Sequence, residues 1–593
     1  MQFTALDWSI LVAFFALSLG IGAVAARRAS QGFAAFFLGN RAMPWWLLGV
    51  SMVATTFATD TPNLVADIVR SDGVVGNWVW WAFLLTGMLT VFFYARLWRR
   101  SEVLTDIEFY ELRYSGKPAA FLRGFRAVYL GVVFNTIIMA NVTLAAIKIG
   151  GVMMQWTPLE TVLIAASVTM VYSALGGLTG VLITDFLQFG LAMVGAIAAA
   201  YVAVNLPEVG GLAGLVSHPN VAPATAFLPD FSTMGWDVLV PIFVIPLAVQ
   251  WWASYYPGAE PGGGGHMAQR MLAAKDERHA TGAALLFNTL FIALRPWPWI
   301  LVALASLVVF PDLASLRAAF PHLAENVVQN DLAYPAMLTY LPAGLLGVAV
   351  TSLAAAYMST MSTQVNWGAS VLVNDVYRRF LAPSATDRQQ VWVGRLATVG
   401  LMVLASALAL LLESALQGFN LLLQIGAGTG LLMLLRWFWW RVNAAAEITG
   451  MVVSFGVAAL LFVNDGFGMP GWQQFLLIVG VTTAAWVVVM LVTKPTEAST
   501  LRTFYAKVRP LGPGWQLVRC RAEADGQPLP APPKSDATAA LAGFLAAVVG
   551  VYTLLFATGF FLYGDTAKGV VCAALAAGAV VVLLRVWPRL SWG

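Results

Sequence analysis

The chain has 593 residues, of which 60% are hydrophobic and only 10% are charged. A water-soluble globular protein of this length would carry far more charge, so the composition excludes that class and indicates a membrane protein. The formal charge of +4 does not indicate a nucleic-acid surface, because the basic residues collect in short segments between apolar stretches, where they mark topology.

Apolar stretches recur along almost the whole chain and reach the roughly 20 residues that a helix needs to cross a bilayer. They lack the alternation of polar and apolar residues that is typical of membrane β-barrels. The sequence therefore predicts an all-α polytopic membrane protein with about fifteen transmembrane helices. These begin near residues 6, 43, 74, 119, 155, 179, 237, 281, 343, 388, 418, 444, 471, 537 and 567.

Basic residues follow alternate spans, as with Arg27 and Arg28 after the first, and Arg270, Lys275 and Arg278 after the seventh. The positive-inside rule then places the N terminus outside and the C terminus in the cytoplasm. The predicted location is the inner (plasma) membrane of a bacterial-type cell.

Residues 494–536 are polar and include the proline-rich run PLPAPPK. We predict a cytoplasmic linker here, followed by two additional C-terminal helices in residues 537–593.

Neither the two cysteines nor the four histidines have the spacing of metal ligands or of a redox pair. A clustered nucleophile and base is missing as well. We therefore expect no cofactor, no zinc or redox centre and no enzyme activity.

Polar side chains and a proline interrupt the second span, which contains, among apolar residues, Thr55, Thr56, Thr59, Asp60, Thr61, Pro62 and Asn63. Polar groups inside a membrane are costly and indicate a functional role. A helix broken here would present backbone carbonyls to a cation and a half-helix N terminus to a solute, as in many secondary transporters. The alternative is a kinked structural helix whose threonine hydroxyls bond to their own backbone.

A stripe of polar side chains follows in the ninth span. Ser359, Ser362, Thr363 and Asn366 are spaced i, i+3, i+4, i+7 and share one helix face, with Thr360 beside them. Hydroxyl oxygens can bind a hard cation of low charge but cannot carry a proton as a carboxylate can, which favours sodium over a proton. The alternative is close helix packing through small residues.

Two charged residues stand out within apolar spans. Asp185 follows a tight connection predicted at Gly176 and Gly177, and is either a cation ligand or a cap at a helix end. Arg295 lies in the eighth span, where an unpaired guanidinium is costly, so we expect a structural pair with Asp60 or a contact with a solute carboxylate.

The segment WWASYYPGAEPGGGGH follows the seventh span. Its aromatic residues could stack on a solute beside a flexible glycine gate. The alternative is an interfacial aromatic belt and a loop.

Several blocks of the sequence resemble, in order, those of the sodium:solute symporter family, which includes bacterial proline, sialic acid and galactose carriers and the human sodium/glucose cotransporters. The blocks are FFLGNRAMPWW, LTDIEFYELRY, VYSALGGLTGVLITDFLQ, AQRMLAAKDERHA, AAAYMSTMSTQVNWGASVLVNDVYRR and LLRWFWWRVNAAAEITGM. The resemblance covers residues 5–493, and it implies a LeuT-type core of two inverted five-helix repeats. The core would be 43–443, with repeat one at 43–205 and repeat two at 237–443, after an N-terminal helix and loop (1–42) and before two peripheral helices (444–493).

The resemblance also implies site residues, position by position. The family sodium site would use the backbone oxygens of Ala54, Phe57 and Ala356 and the hydroxyls of Ser359 and Thr360. A second sodium site, which some members have, would use Asp185, Ser359, Ser362 and Thr363. The candidates for the solute pocket, to which our own reasoning adds Arg295, are Thr56, Asp60, Thr61, Gln250, Trp251, Trp252, Arg295 and Asn420.

The function implied is sodium-coupled symport of a small organic solute into the cell by alternating access. An amino acid, a sugar and a carboxylate all remain open as the solute, and sodium is the only metal expected. The partners are the solute, sodium and the lipid bilayer, and the sequence does not distinguish a monomer from an oligomer. The alternative is a membrane solute sensor built on a transporter core, although residues 494–536 lack the pattern of a regulatory domain.

Overall fold

The computed structural model describes residues 3–29, 33–256, 258–321, 323, 328–411, 422–531 and 537–590. Within these ranges the regular structure is helical, and β-type pairing is limited to two isolated bridges, Met43 with Ala274 and Ser254 with Ala427. The prediction of an all-α protein is confirmed. Hydrocarbon offers no water to bond the backbone, so each segment satisfies its own N–H and C=O groups as a helix.

The helices follow one another in the order predicted from hydropathy. The first part of the chain contains α1 (Ala5–Ala29), α2 (Trp45–Thr56), α3 (Asp60–Asp72), α4 (Val74–Ser101), α5 (Gly116–Met154) and α6 (Pro158–Val204). The middle part contains α7 (Trp236–Ala253), α8 (Gly265–Ala273), α9 (Glu277–Val309), α10 (Leu345–Leu381), α11 (Asp387–Ala409) and α12 (Gly430–Phe438). The last part contains α13 (Ala444–Val463), α14 (Gly471–Val492), α15 (Ala498–Val508), α16 (Gln516–Ala524), α17 (Ala537–Leu562) and α18 (Thr566–Val586).

In the described part of the chain, 11 helical segments are long and apolar enough to cross a membrane. Three shorter apolar helices accompany them, Ala5–Ile21, Trp45–Thr56 and Pro158–Val171. Together they account for every predicted span except the eleventh, near residue 418, which lies partly outside the described residues. The chain is thus a multi-pass membrane protein.

Two membrane segments are broken, one in each predicted repeat. In the first, α2 ends at Thr56 and α3 begins at Asp60, with Pro62 in the first turn of α3, where its missing N–H is tolerated. In the second, α7 ends before a loop that leads to α8, and Gly262 and Gly263 adopt φ of 76° and 83° there. Only glycine takes this left-handed conformation readily, so the run of glycines permits the second break.

Helix α6 contains both the fifth and the sixth predicted spans. Near its start, Ala165 shares a cavity with Leu353 of α10, and near its end Gly195 lies against Ser352 of α10. A straight helix would separate Ala165 from Gly195 by about 45 Å. Both parts of α6 thus lie near the same stretch of α10. The backbone at residues 176 and 177, where the sequence predicts a tight connection, belongs to this helix.

Residues 494–536, predicted to be a linker, contain the helices α15 and α16. Trp515 donates from Nε1 to the carbonyl of Trp437 in α12 (2.8 Å). The guanidinium of Arg113 lies 5.0 Å from the ring centre of Trp515 and 5.4 Å from that of Phe504. These aromatic and cation–π contacts hold the segment against the ends of the membrane helices.

The C-terminal helix α17 packs closely on α4. The hydroxyl of Tyr552 donates to the carbonyl of Trp81 in α4 (2.9 Å). At Gly543 a side chain would collide with Phe92, because an added Cβ would lie 2.5 Å from its ring. Small residues at such positions allow helices to approach closely in a membrane.

Candidate functional site

The break between α2 and α3 is fixed by hydrogen bonds around Phe57. The N–H of Phe57 turns back to the carbonyl of Ala54 (3.1 Å), and the hydroxyl of Thr59 donates to the carbonyl of Val142 on α5 (3.0 Å). The last carbonyls of α2 have no following helical turn to bond, as at any helix end. Backbone oxygens are therefore concentrated at the break.

Helix α10 presents its hydroxyl face to this break. Thr360 donates to the carbonyl of Thr55 (2.7 Å), and the Oγ1 atoms of Thr55 and Thr363 lie 3.0 Å apart. Ser359 donates to Asp185 of α6 (2.6 Å). The stripe predicted from helical spacing thus faces α2 and α6, inside the protein.

The positions that the resemblance implied for the sodium site lie on or directly after the two helices that form this contact. Ala54 and Phe57 lie at the end of α2, and Ala356 lies one turn before Thr360 on α10. All are buried, as is Ser359. The two helices that carry them meet at the hydrogen bond between Thr360 and Thr55.

A second polar cluster lies beside the first and is centred on Arg270 of α8, which is fully buried. Its Nη2 donates to Thr363 (2.6 Å) and to Ser51 (3.2 Å), and lies 3.7 Å from Oδ2 of Asp185. Ser51 also donates to Asp185. The prediction that Arg270 lies in a positively charged loop is wrong, since α8 carries it into the core.

Arg270 occupies the neighbourhood of the second sodium site that the resemblance implied. Two of the implied ligands, Asp185 and Thr363, contact its guanidinium. A third, Ser362, donates to the carbonyl of Ser359 in its own helix (3.0 Å). The charge of Asp185 is therefore neutralised within the protein.

A cavity of about 130 Å³ adjoins the break. It is large enough for several water molecules or a small organic solute. Its lining comes from α2 to α5, the α7–α8 loop, α8, α9, α10 and residue 422, and consists of Thr55, Thr56, Ala58, Asp60, Thr61, Leu64, Val65, Trp80, Phe83, Ile138, Asn141, Val142, Tyr256, Gly258, Ala259, His266, Phe291, Arg295, Thr360, Gln364 and Leu422.

Four buried polar atoms of this lining have no hydrogen-bond partner within the protein. They are Oδ1 of Asp60, Oδ1 of Asn141, Nε2 of His266 and Nε of Arg295. Leaving such atoms unpaired is costly. The cavity is therefore suited to a polar molecule that offers both donors and acceptors.

Arg295 follows a π-helical turn in α9, in which its N–H bonds to the carbonyl of Leu290, five residues earlier (3.0 Å). Its Nη1 donates to the carbonyl and the hydroxyl of Thr56, and its guanidinium lies 4.1 Å from the ring centre of Phe291. The expected structural pair with Asp60 is not formed as a direct contact. Arg295 instead bonds the end of α2, while Asp60 faces the same cavity.

The solute-pocket residues predicted from the sequence are divided by the structure. Thr56, Asp60, Thr61 and Arg295 line the 130 Å³ cavity. Gln250 instead lines another cavity, of about 340 Å³.

The other candidates are placed elsewhere. Trp251 and Trp252 bond from their indole N–H groups to carbonyls four residues earlier, at 3.0 and 2.8 Å, and do not line the 130 Å³ cavity. Asn420 lies outside the described residues.

Sequence reasoning missed Asn141, His266 and Gln364. Asn141 is a polar residue within an apolar span and could have been found by that signal, whereas His266 follows the glycine run and was assigned to a loop. Tyr256 belongs to the aromatic segment considered for solute stacking, and its ring stacks on Phe83 (5.6 Å between ring centres, 9° between planes) at the cavity wall.

Comparison with known protein families shows which family the chain belongs to. The model of the sodium:solute symporter family matches residues 36–454. The chain belongs to this family. The symporter is 26% identical over 488 residues to a sodium/glucose cotransporter of Vibrio parahaemolyticus, which covers 79% of this chain and 87% of the relative. It is also 26% identical over 498 residues to a sodium/mannose cotransporter of Bos taurus, which covers 78% of this chain and 80% of the relative.

A solved structure shares the fold of this symporter. A sodium-coupled sialic acid symporter, in a substrate-bound outward-open state, superimposes with a TM-score of 0.68 at 20% identity. The match covers 84% of this chain and 100% of that one. The LeuT-type fold predicted from the resemblance is confirmed.

Proposed function

We propose that this symporter carries a small polar organic solute into the cell together with sodium, and that the 130 Å³ cavity is the solute site. The observation that best supports this is that Thr360 belongs to both sites. Its hydroxyl bonds the carbonyl of Thr55 at the sodium positions, and its side chain lines the cavity. A shared residue is a direct route for coupling the binding of one ligand to the other.

The proposed sodium site comprises the carbonyls of Ala54, Phe57 and Ala356 and the hydroxyls of Ser359 and Thr360. Neutral oxygens suit a hard monovalent cation. An ion that bridges α2 and α10 favours the conformation in which the two helices are in contact. Because the cavity is completed by the same contact, sodium increases the affinity for the solute.

The cavity lining supports a solute with two kinds of polar group. The guanidinium of Arg295 can bind a carboxylate, whereas Asp60 and Asn141 can accept from hydroxyl or amine groups. The relatives are named for sugars and myo-inositol. We propose an acidic sugar derivative or an amino acid as the class to test first.

The transport core is proposed to be residues 43–443, with the N terminus outside and the C terminus in the cytoplasm of a bacterial-type inner membrane. Each sodium ion that enters contributes about 2.3 kcal/mol per 100 mV of membrane potential. One ion per cycle then supports about fiftyfold accumulation of a neutral solute per 100 mV.

The first experiment is a thermal-stability measurement of the purified protein in sodium and in potassium, with a library of amino acids, sugars and carboxylates. We expect a sodium-dependent increase in melting temperature that grows with one solute class, because ligands that bind the folded state stabilise it. Thr360→Ala should weaken the sodium effect, and Ser362→Ala, two residues along α10, should keep it. No sodium effect with any solute would contradict the proposal.

A further inference from the structure

The two C-terminal helices form a groove with α9 that the transport mechanism does not use. The groove has a volume of about 880 Å³ and is walled by α9, α17 and α18. Small residues leave this space, with Ala547 and Gly550 on α17 and Ala573, Ala576 and Ala577 on α18. Larger side chains at these positions would fill the groove.

The length of the groove matches one leaflet of a bilayer. Its wall runs from Arg278 to Thr289 on α9 and from Ala573 to Leu584 on α18. At 1.5 Å per residue each wall is about 16 Å long. This is about half of the 30 Å hydrocarbon thickness. Acyl chains that enter from one leaflet would therefore fit along it.

One end of the groove carries basic and aromatic residues. This end is lined by Trp45, Arg278 and Trp587. Three further basic residues lie within three positions of Arg278 or Trp587 in the sequence and are exposed: Lys275, Arg585 and Arg589. Two acidic residues precede Arg278 in the sequence. Glu277 is buried and paired with Arg100 (2.6 Å), whereas Asp276 is exposed. Indoles beside basic residues are typical of the membrane interface, and basic pockets between membrane helices bind anionic lipid headgroups.

We propose that this groove binds an anionic phospholipid from the leaflet at its basic end, which is the cytoplasmic leaflet in the proposed orientation. The acyl chains lie along the alanine and glycine wall, and the phosphate lies at Arg278. The C-terminal pair thus supplies a lipid site, and this role does not depend on which solute is carried.

The site also contacts helices that lead to the solute cavity. Trp45 is the first residue of α2, and its N–H bonds Nδ1 of His279 at the start of α9 (3.0 Å). Farther along, α2 ends at Thr56 and α9 carries Arg295, which bonds to it. A lipid in the groove is therefore in contact with both helices of that pair.

The test uses the full-length protein, stripped of lipid in detergent and titrated with phosphatidylglycerol or with phosphatidylcholine of the same acyl chains. Bound lipids are counted by native mass spectrometry. We expect saturable retention of one phosphatidylglycerol and little phosphatidylcholine. Arg278→Gln should raise the phosphatidylglycerol concentration at half-saturation about fivefold, because one basic side chain near an anionic lipid contributes about 1 kcal/mol to binding. Arg388→Gln, an exposed residue in the first turn of α11, is the matched control and should leave it unchanged.

A second pair of variants tests the acyl-chain wall. Ala577→Phe fills the groove and should abolish retention, whereas Ala574→Phe, outside the lining, should not. Equal binding of the two lipids, or full retention in both Arg278→Gln and Ala577→Phe, would overturn the proposal. A second result would also overturn it: the parent protein is a dimer, and Ala577→Phe converts it to a monomer without changing the number of bound lipids. The groove would then be a contact between two copies of the chain. If Ala577→Phe does not fold, the Arg278→Gln titration decides alone.

Discussion

Helix α10 contributes to two neighbouring polar clusters that differ in charge. At Thr360 the partner is a backbone carbonyl at the end of α2. At Thr363, about one turn along, the partner is the guanidinium of Arg270, which also faces Asp185. The first cluster consists of neutral oxygens, whereas the second already contains a cation of the protein, Arg270.

This difference shows that similar residues on one helix face can have different surroundings. Hydroxyls at both positions have the same ligand chemistry. What separates them is the neighbouring helix, because α2 supplies carbonyls at its break and α8 supplies a guanidinium. We therefore expect sodium to act at the first cluster and Arg270 to stabilise the fold at the second.

The largest effect is expected from Arg270→Met. The substitution leaves Asp185 buried without its counter-charge, and breaking a buried ion pair in this way costs about 3–5 kcal/mol of folding free energy. Thermal unfolding in detergent should show a large fall in melting temperature. The double variant Arg270→Met with Asp185→Asn should recover part of it. A single variant as stable as the parent would contradict a structural role for Arg270.

A smaller effect is expected from Thr360→Ala, which tests the first cluster. Loss of one ligand should raise the sodium concentration for half-maximal uptake about tenfold, equivalent to about 1.4 kcal/mol. Uptake into proteoliposomes measures this once a solute is known. Thr360→Ser keeps the hydroxyl and should stay close to the parent. Unchanged sodium dependence in Thr360→Ala would contradict the proposed sodium site.

The solute cavity can be separated from both clusters with Arg295→Lys. The charge is kept, but the planar fork that bonds Thr56 and faces the cavity is lost, so the KM for the solute should rise about tenfold. Sodium activation should change much less. Gln250→Leu, in the other cavity, is the control and should leave KM unchanged. A change in sodium activation alone would place Arg295 in the ion site instead.

The smallest effect is expected from Ser362→Ala. The hydroxyl of Ser362 bonds within its own helix, and such bonds contribute little, so sodium activation should change by less than about twofold. Sodium activation curves at saturating solute measure this. A rise comparable to that of Thr360→Ala would support a second sodium ion bound by Asp185, Ser359, Ser362 and Thr363.

Some features of the site could be predicted because they depend on local sequence. The threonines and Pro62 around Asp60 indicated a broken helix, and α2 does end at Thr56. Helical spacing placed Ser359 and Thr363 on one face, and both point to neighbouring helices. A helical period and a proline act over a few residues, so they can be recognised without the rest of the chain.

Other features depended on which helices meet. Arg270 belongs to a cluster of basic residues that is typical of a loop. Only its position between α2, α6 and α10 shows that it is buried. Gln250 and Asp60 are both polar residues in broken segments, yet they line different cavities. The sequence by itself determined the membrane class, the order of the helices and the polar positions, because hydropathy and periodicity are local. Only the tertiary structure decided which polar groups share a cavity and which neutralise each other, because those contacts join residues that are far apart in the sequence, as Asp185 and Arg270 are.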